Sequence, residues 1–537
     1  MAKRNRRQPR PPAPKSNERP DWLPHVAILS LLVIVVYANA ISNGFAADDN
    51  WQLLKNPFVT DPADLPKLFG SGVWSFLGAK SNFYRPLQFV VYMLVYELAG
   101  FRAPAFHLLM VWLHAVNTVL LYFLVRRLAS GRVAIAAAAL FAVHPIHTEA
   151  VDWIAALPDV MVTLLALIGI LWLARRTSPL EPLQIAGHCG LYLLAMLFKE
   201  TGVMILPLYF GFGFFCAGRR WKEFRFHARL YAGMVAVLAV YLVMRRAALG
   251  GLAPAQQMYF HLKPVEFVFS VVVTAAQYLA HLLFPVNLNY SHVFHPTGSI
   301  TLVLVASLVA LAAVAIGFFR VRTALIAYGI FWVVVTIVPT LNITGLGPNV
   351  FAERYLYLPS AGFCWIAAWA WDWWATRQAS WAKAAAAVLL VACAGEAMSR
   401  NGDWRDDFTL FQKTAQQSPT SAFVQDGLAA QYVARQNYHA AIQHERLAVQ
   451  YQPDMAIYRT KLGYLLMTKD PRTAVAEFRK AAELEPSAAQ GHTDLGMALE
   501  STGEASQAAD EYKKALELQP QDRDANEGYR RVMSKLR

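Results

Sequence analysis

Gly44-Phe45-Ala46-Ala47-Asp48-Asp49-Asn50-Trp51 follows directly on a long apolar run, Val26 to Ile41. A run of that length reads as a membrane-crossing helix, so two adjacent carboxylates stand at its far water–lipid boundary. Acidic groups are costly to desolvate in such a place, and they are there either well solvated or for chemistry. With this reading the chain becomes a membrane protein whose polar residues gather at helix ends.

The composition agrees. Of 537 residues, 56% are apolar and 16% charged, against about 25% charged in soluble domains. Charge is sparse between Leu23 and Ala397, then dense and mixed from Arg400 onward. Three parts are expected: a basic tail over 1–24, a membrane domain over 25–399, and a C-terminal domain over 400–537. The formal charge of +13 is no nucleic-acid signature. Much of the excess lies in short loops beside apolar helices and in the Pro-rich tail (Lys3, Arg4, Arg6, Arg7, Arg10, Lys15, Arg19), which reads as disordered and cytoplasmic. The apolar run after the tail lacks a small-x-small cleavage site and reads as an uncleaved first span. Cys189, Cys216, Cys364 and Cys393 fall inside apolar stretches without metal-ligand spacing, and read as packing residues.

About eleven spans are legible, roughly 26–43, 103–126, 132–147, 157–175, 184–198, 202–217, 229–247, 300–318, 323–341, 356–374 and 380–397. Arg126-Arg127, Arg175-Arg176, Arg219-Arg220 through Arg229, and Arg320 with Arg322 then share the cytoplasmic side, with Arg245-Arg246 the exception. Odd parity puts the N-terminus in the cytoplasm and the C-terminal domain on the other face: periplasmic or extracellular, or the endoplasmic-reticulum lumen in a eukaryote. Tyr84 to Leu98 would reverse every later basic loop if it crossed, and reads as an interfacial helix starting at Arg85-Pro86. Val265 to Leu283 has the same problem and reads as re-entrant or interfacial.

This scheme collects the polar chemistry on the outer face. Asp48-Asp49 come first, then His144-Pro145-Ile146-His147-Thr148-Glu149 with Asp152 and Asp159, then Lys199-Glu200. His261, Asn289, Tyr290, His292 and His295 follow, and last Glu353-Arg354-Tyr355. Nucleotide sugars and ATP are not available on that side.

From Asn401 the period changes. Pro419, Pro453, Pro486 and Pro520 recur at spacings of 34, 33 and 34, and Ala448, Ala481 and Ala515 each stand five residues ahead of a proline. Leu462-Gly463 and Leu495-Gly496 match in phase, as do Phe478 and Tyr512. That is the tetratricopeptide pattern, a helix–turn–helix unit closed by proline, in about three copies.

Several residues stand out as candidates for chemistry. Asp48 and Asp49 read either as solvated loop acids or a helix cap, or as a general base and its partner. His144, His147 and Glu149 have loose metal-ligand spacing, but Pro145 breaks any helical register, so capping and orienting an outer loop is the better reading. Arg85, Lys199 and Arg354 stand at outer helix edges. They either snorkel toward headgroups or hold a lipid-linked phosphate, which arginine binds bidentately. Lys199-Glu200, between two short apolar runs, reads as a functional intramembrane pair. Asp159, after Pro158, reads as a cap.

The motifs together resemble a known family. Gly44-Phe45-x-x-Asp48-Asp49, Tyr84-Arg85-Pro86-Leu87, Phe106-His107-Leu108-Leu109 with His114, Phe141 to Val151, Leu197-Phe198-Lys199-Glu200, and Ala352-Glu353-Arg354-x-x-Tyr357-Leu358-Pro359-Ser360 occur in order. They resemble the transmembrane and tetratricopeptide-repeat O-mannosyltransferases. The resemblance implies an all-α chain: a multi-spanning membrane domain of GT-C type followed by a tetratricopeptide α-solenoid. It also implies an inverting glycosyltransferase, moving a sugar (by analogy mannose) from a polyprenyl-phosphate carrier to Ser/Thr hydroxyls of proteins on the outer face. The role of base would map onto Asp48 with Asp49 as its partner, the choice between the two being left open by the motif. Arg85, Lys199 and Arg354 would hold the donor phosphate, with His144, His147, Glu149, Glu200 and Glu353 in support. No cofactor or metal is expected beyond the lipid-linked co-substrate, and the repeats would recruit the protein acceptor. The short repeat array suggests a prokaryotic relative. A glycan or lipid acceptor on the same fold is the alternative, and a transporter or repeat-bearing scaffold is the non-enzymatic one.

Overall fold

The computed structural model describes residues 21–176, 180–216, 221–253, 262–321, 323–342 and 350–537, without the side chains of 221–226. The tail up to residue 20 lies outside the described residues, as do Arg219, Arg220, His261 and Arg322. Among the described residues every regular element is helical.

Eight helices are long and apolar enough to cross a membrane, from Leu23–Ser42 to Ala379–Trp404. A ninth crossing is made by Gly131–Val143 with Pro145–Asp152, if this pair, bent by 51°, is counted as one span. Pro182–Phe198 and Glu200–Phe215 are shorter apolar helices. Tyr357–Ala375 packs against Gly131–Val143 and Ala324–Ile337, with Cys364, Trp365 and Ala368 buried. The bend has a local cause. Pro145 has no N–H to continue the helix, and the His144 ring accepts the Ile146 N–H at 3.3 Å instead.

Ion pairs and caps tie the helices together at two ends. At one end Arg126 Nη2 lies 2.6 Å from Asp21, Arg127 Nε donates to Ala174 O at 3.1 Å, and Arg132 Nε lies 3.0 Å from Asp372. The opposite end holds Gly44 to Trp51, Lys199, Glu353 and Arg400. Helix Pro86–Ala99 is only 14 residues long. Its first turn meets the loop after the first helix through Gln88 and Gln52. The next helix returns to the same loop at its own start, where His107 Nε2 lies 3.0 Å from Gly44 O. Both ends of this short helix thus stay at one end of the bundle.

Pro264–Leu283 departs from the re-entrant reading alone, since an unbroken helix can also lie at an interface. The segment read as re-entrant or interfacial is one continuous helix of 20 residues, among the eight long and apolar enough to cross. The sequence reading weighed loop charge, and loop charge does not limit helix length.

After the bundle, three helix pairs form the repeats: Ala422–Ala434 with Tyr438–Tyr451, Ala456–Leu466 with Pro471–Leu484, and Ala489–Ser501 with Ala505–Leu518. Asp407–Gln417 precedes them and Arg523–Leu536 caps them. The in-phase glycines have a packing reason. A Cβ on Gly463 would stand 2.8 Å from the Phe478 ring, and one on Gly496 2.8 Å from the Tyr512 ring. The first repeat helix does not stand apart from the bundle. Ala46, Trp153, Tyr290, Trp404, Leu410, Phe411, Val424 and Leu428 form one buried cluster across the junction.

Candidate active site

The site is built on the loop that follows the first helix. Two asparagines fix its approach: Asn401 Nδ2 donates to Val36 O and Asn43 Nδ2 donates to Asn401 O, both at 2.8 Å. Gly44 N then donates to Arg405 O at 2.9 Å. Ala47 has φ 52°, the left-handed region that a non-glycine residue adopts at a cost.

The two adjacent acids are not equivalent. Asp49 is buried, and its carboxylate accepts the N–H of Ala46 at 3.2 Å and that of Ala155 at 2.7 Å. Its work is to join the loop after the first helix to the turn at Ile154–Ala156. Asp48 is half-buried and accepts only a long contact from Gln52 Nε2, 3.4 Å. Burial pushes its carboxyl up to about 6, against the pull of Arg354 and Arg85, with Asp407 adding to the push. A carboxylate poised there is half-way to being a base for a neutral hydroxyl.

Around Asp48 stand cations with committed partners. Arg85 Nε donates to Glu200 at 3.1 Å, and the other oxygen of Glu200 accepts Tyr84 N at 2.8 Å and Arg245 Nη1 at 3.3 Å. Lys199 Nζ lies 2.6 Å from both oxygens of Asp159. Arg354 binds Glu149 with its guanidinium and, at 2.8 Å, with its backbone N–H. Tyr355 lies between two of these cations, its ring centroid 4.8 Å from Lys199 Nζ and 4.8 Å from Arg354 Cζ. Four cations (Arg85, Lys199, Arg245, Arg354) meet three carboxylates (Glu149, Asp159, Glu200). The cations outnumber these three carboxylates by one, a surplus that ionised Asp48 balances, and the guanidinium groups offer the donors that a phosphodiester would need.

The residues singled out from sequence divide accordingly. Asp48, Arg85, Lys199, Glu200, Glu149 and Arg354 come together. Lys199 and Glu200, read as a pair, point to different partners because the backbone is extended at Lys199 (ψ 145°) before the turn at Glu200. Asp159 is no mere cap, since it holds Lys199. His144 and His147 serve the helix break: His144 Nε2 donates to Leu282 O at 3.1 Å, and His147 lies between Phe141 O at 2.8 Å and Ser360 Oγ at 2.7 Å. Glu353 is buried apart from the cation cluster, 3.0 Å from Arg400 Nη1 and 3.4 Å from His292 Nε2. Among the described residues no three His, Cys, Asp or Glu side chains gather as metal ligands. Arg245 was missed. Its signal was present in its place outside the basic-loop pattern.

A multi-spanning helical bundle with one charged, buried site at its end, continued by tetratricopeptide helices, is the class that fold and site define. No family model matches the chain. Its curated relatives are protein O-mannosyl-transferases. One from Caenorhabditis elegans is 25% identical over 434 residues, 76% of this chain and 60% of that protein. Human TMTC3 is 25% identical over 80% of this chain and 52% of its own length. The chain thus spans about half to three-fifths of these relatives. Among solved structures, ArnT from Cupriavidus metallidurans bound to undecaprenyl phosphate aligns with 91% of this chain and 79% of its own, at 13% identity and TM-score 0.41.

Proposed function

We propose that the chain is an integral membrane glycosyltransferase that moves a sugar, mannose by kinship with its relatives, from a polyprenyl-phosphate carrier to a Ser/Thr hydroxyl of a protein. The observation that carries this reading is the pairing of one uncommitted carboxylate, Asp48, with a cation cluster of net charge +1 (four cations, three carboxylates).

In this reading the donor is a phosphodiester with one negative charge. The acceptor oxygen attacks the anomeric carbon as the carbon–oxygen bond to phosphate breaks, which inverts the anomeric centre. Asp48 takes the hydroxyl proton. The carrier phosphate leaves with a second negative charge, and stabilising that charge is the larger electrostatic contribution. Arg85, Lys199 and Arg354 would hold it, joined by Arg245. Their carboxylate partners keep these long side chains aimed before donor arrives, so little reorganisation is needed at the reacting centre. We assign this charge work to side chains, with no divalent ion or other cofactor. The acid-bearing end of the bundle would face away from the cytoplasm, with Arg126-Arg127 on the cytoplasmic side and the repeats, as acceptor-recruiting units, with Asp48.

The test is sugar transfer from polyprenyl-phosphate-mannose to outer-face proteins by the purified full chain. Asp48→Asn should abolish transfer in a folded protein, and Asp49→Asn should lower it through the loop. Transfer unchanged in Asp48→Asn removes the base assignment. No transfer by wild type from any polyprenyl-phosphate sugar removes the glycosyltransferase reading.

A further inference from the structure

Asp407 lies in the first turn of helix Asp407–Gln417, the first of the C-terminal helices, where an acid would ordinarily serve its own helix. The cap there is already supplied by Asp406, which accepts Thr409 N at 2.8 Å. Asp407 reaches across the junction instead. Its Oδ1 accepts Ala47 N at 2.5 Å, and its Oδ2 accepts Asn50 Nδ2 at 2.9 Å and Gln431 Nε2 at 3.3 Å. Ala47 and Asn50 bracket Asp48, and Ala47 is the residue held at φ 52°.

We propose that Asp407 is a positioning residue for the candidate base: the repeat domain clamps the Asp48 loop into its left-handed turn and is therefore part of the active site as well as an acceptor-recruiting module. This rests on Asp48 being the base. Left-handed alanine is strained, and a hydrogen bond to a charged acceptor is of a strength that offsets such strain. Without the clamp the loop relaxes toward ordinary φ and Asp48 swings out of place. The clamp also has an electrostatic side. Asp48 faces Arg85 ahead of the short helix, Tyr92 within it, Arg354, Tyr290, its own neighbour Asp49, and Asp407. Of the acids in this set, Asp407 alone lies in the C-terminal helices that follow the bundle.

The experiment uses the full chain in detergent. Asp407→Ala should lower kcat about tenfold or more with the acceptor KM little changed, whereas a pure recruiting role would raise KM. Ala47→Gly in the Asp407→Ala background should restore most of the rate, because glycine adopts the left-handed turn without a clamp. Asp407→Asn, which keeps one acceptor but loses the charge, should move the acid limb of the rate profile to lower pH. Hydrogen exchange of the segment 44–51, read without any activity, should be slow in wild type and fast in Asp407→Ala. Fast exchange in wild type, or an Asp407→Ala enzyme with unchanged kcat, overturns the proposal. If Asp407→Ala does not fold, the wild-type exchange and the Asp407→Asn profile still decide. If exchange behaves as expected while Asp48→Asn retains transfer, the clamp stands and the base assignment falls.

Discussion

Lys199 and Asp159 form a buried pair, with Nζ 2.6 Å from both carboxylate oxygens and each side chain at most 10% exposed. Removing one partner strands the other charge, at a cost of about 3–5 kcal/mol. Lys199→Met should therefore lower the melting temperature sharply. Lys199→Met with Asp159→Leu should recover most of the stability and none of the transfer. Thermal unfolding of both variants beside the transfer assay checks this, and a double variant that regains activity would remove Lys199 from phosphate binding.

Asp49 should separate from Asp48 by the kind of damage it causes. Asp49→Ala leaves the N–H groups of Ala46 and Ala155 without their acceptor, at about 1–3 kcal/mol each. The expected result is a less stable protein, more readily cleaved between 44 and 56, with residual transfer. Equal stability of Asp49→Ala and wild type would contradict the loop-joining role.

The pH profile should carry the mark of Asp48. Its carboxyl is pushed up to about 6, so kcat/KM should fall below about pH 6 as the base is protonated. The sign for stability is the reverse of the common acid case. A folded-state value above the unfolded one means the fold prefers the protonated acid. Stability is then lost as pH rises from about 4 to about 6, and the loss is complete above that. At pH 7.5, Asp48→Asn should be more stable than wild type by about 1–2 kcal/mol once partial exposure is allowed for, and should melt at a higher temperature. A lower melting temperature would show that the ionised form is the stabilised one.

Chelation tests the assignment of charge to side chains. Transfer should be unchanged by excess EDTA, and Arg85→Ala or Arg354→Ala should lower it about a hundredfold or more, the scale seen when one preorganised donor is lost. Loss of activity on chelation, restored by a divalent ion, would overturn that assignment.

Much of this was legible in the chain itself. The apolar runs gave the bundle, and the 34-residue period gave the repeats with Gly463 and Gly496 set against aromatic rings. The gathering of Asp48, Lys199, Glu200 and Arg354 at one end of the bundle was readable because apolar helices expose their polar ends. Partner choice was not. Lys199 beside Glu200 looks like a pair, but one extended residue sends them to Asp159 and Arg85. Asp49 and Asp48 are identical in type, and only the backbone N–H groups in reach of one of them tell them apart. Arg245 broke the charge pattern, and the partner that explains it, Glu200, lies 45 residues earlier. Asp407 gave no signal, since an acid at the start of a helix is commonplace.

The asparagines and Asp407 that tie the first helix and its loop to residues 401–407 also set an order in time. Translation makes the Asp48 loop some 360 positions before Asp407. A nascent chain can hold every arginine and lysine of the cluster and still lack the part that shapes the loop. Competence would thus arrive late and in one step, when the start of the repeats emerges and docks. Until then a half-made chain carries the charges of the site without its geometry.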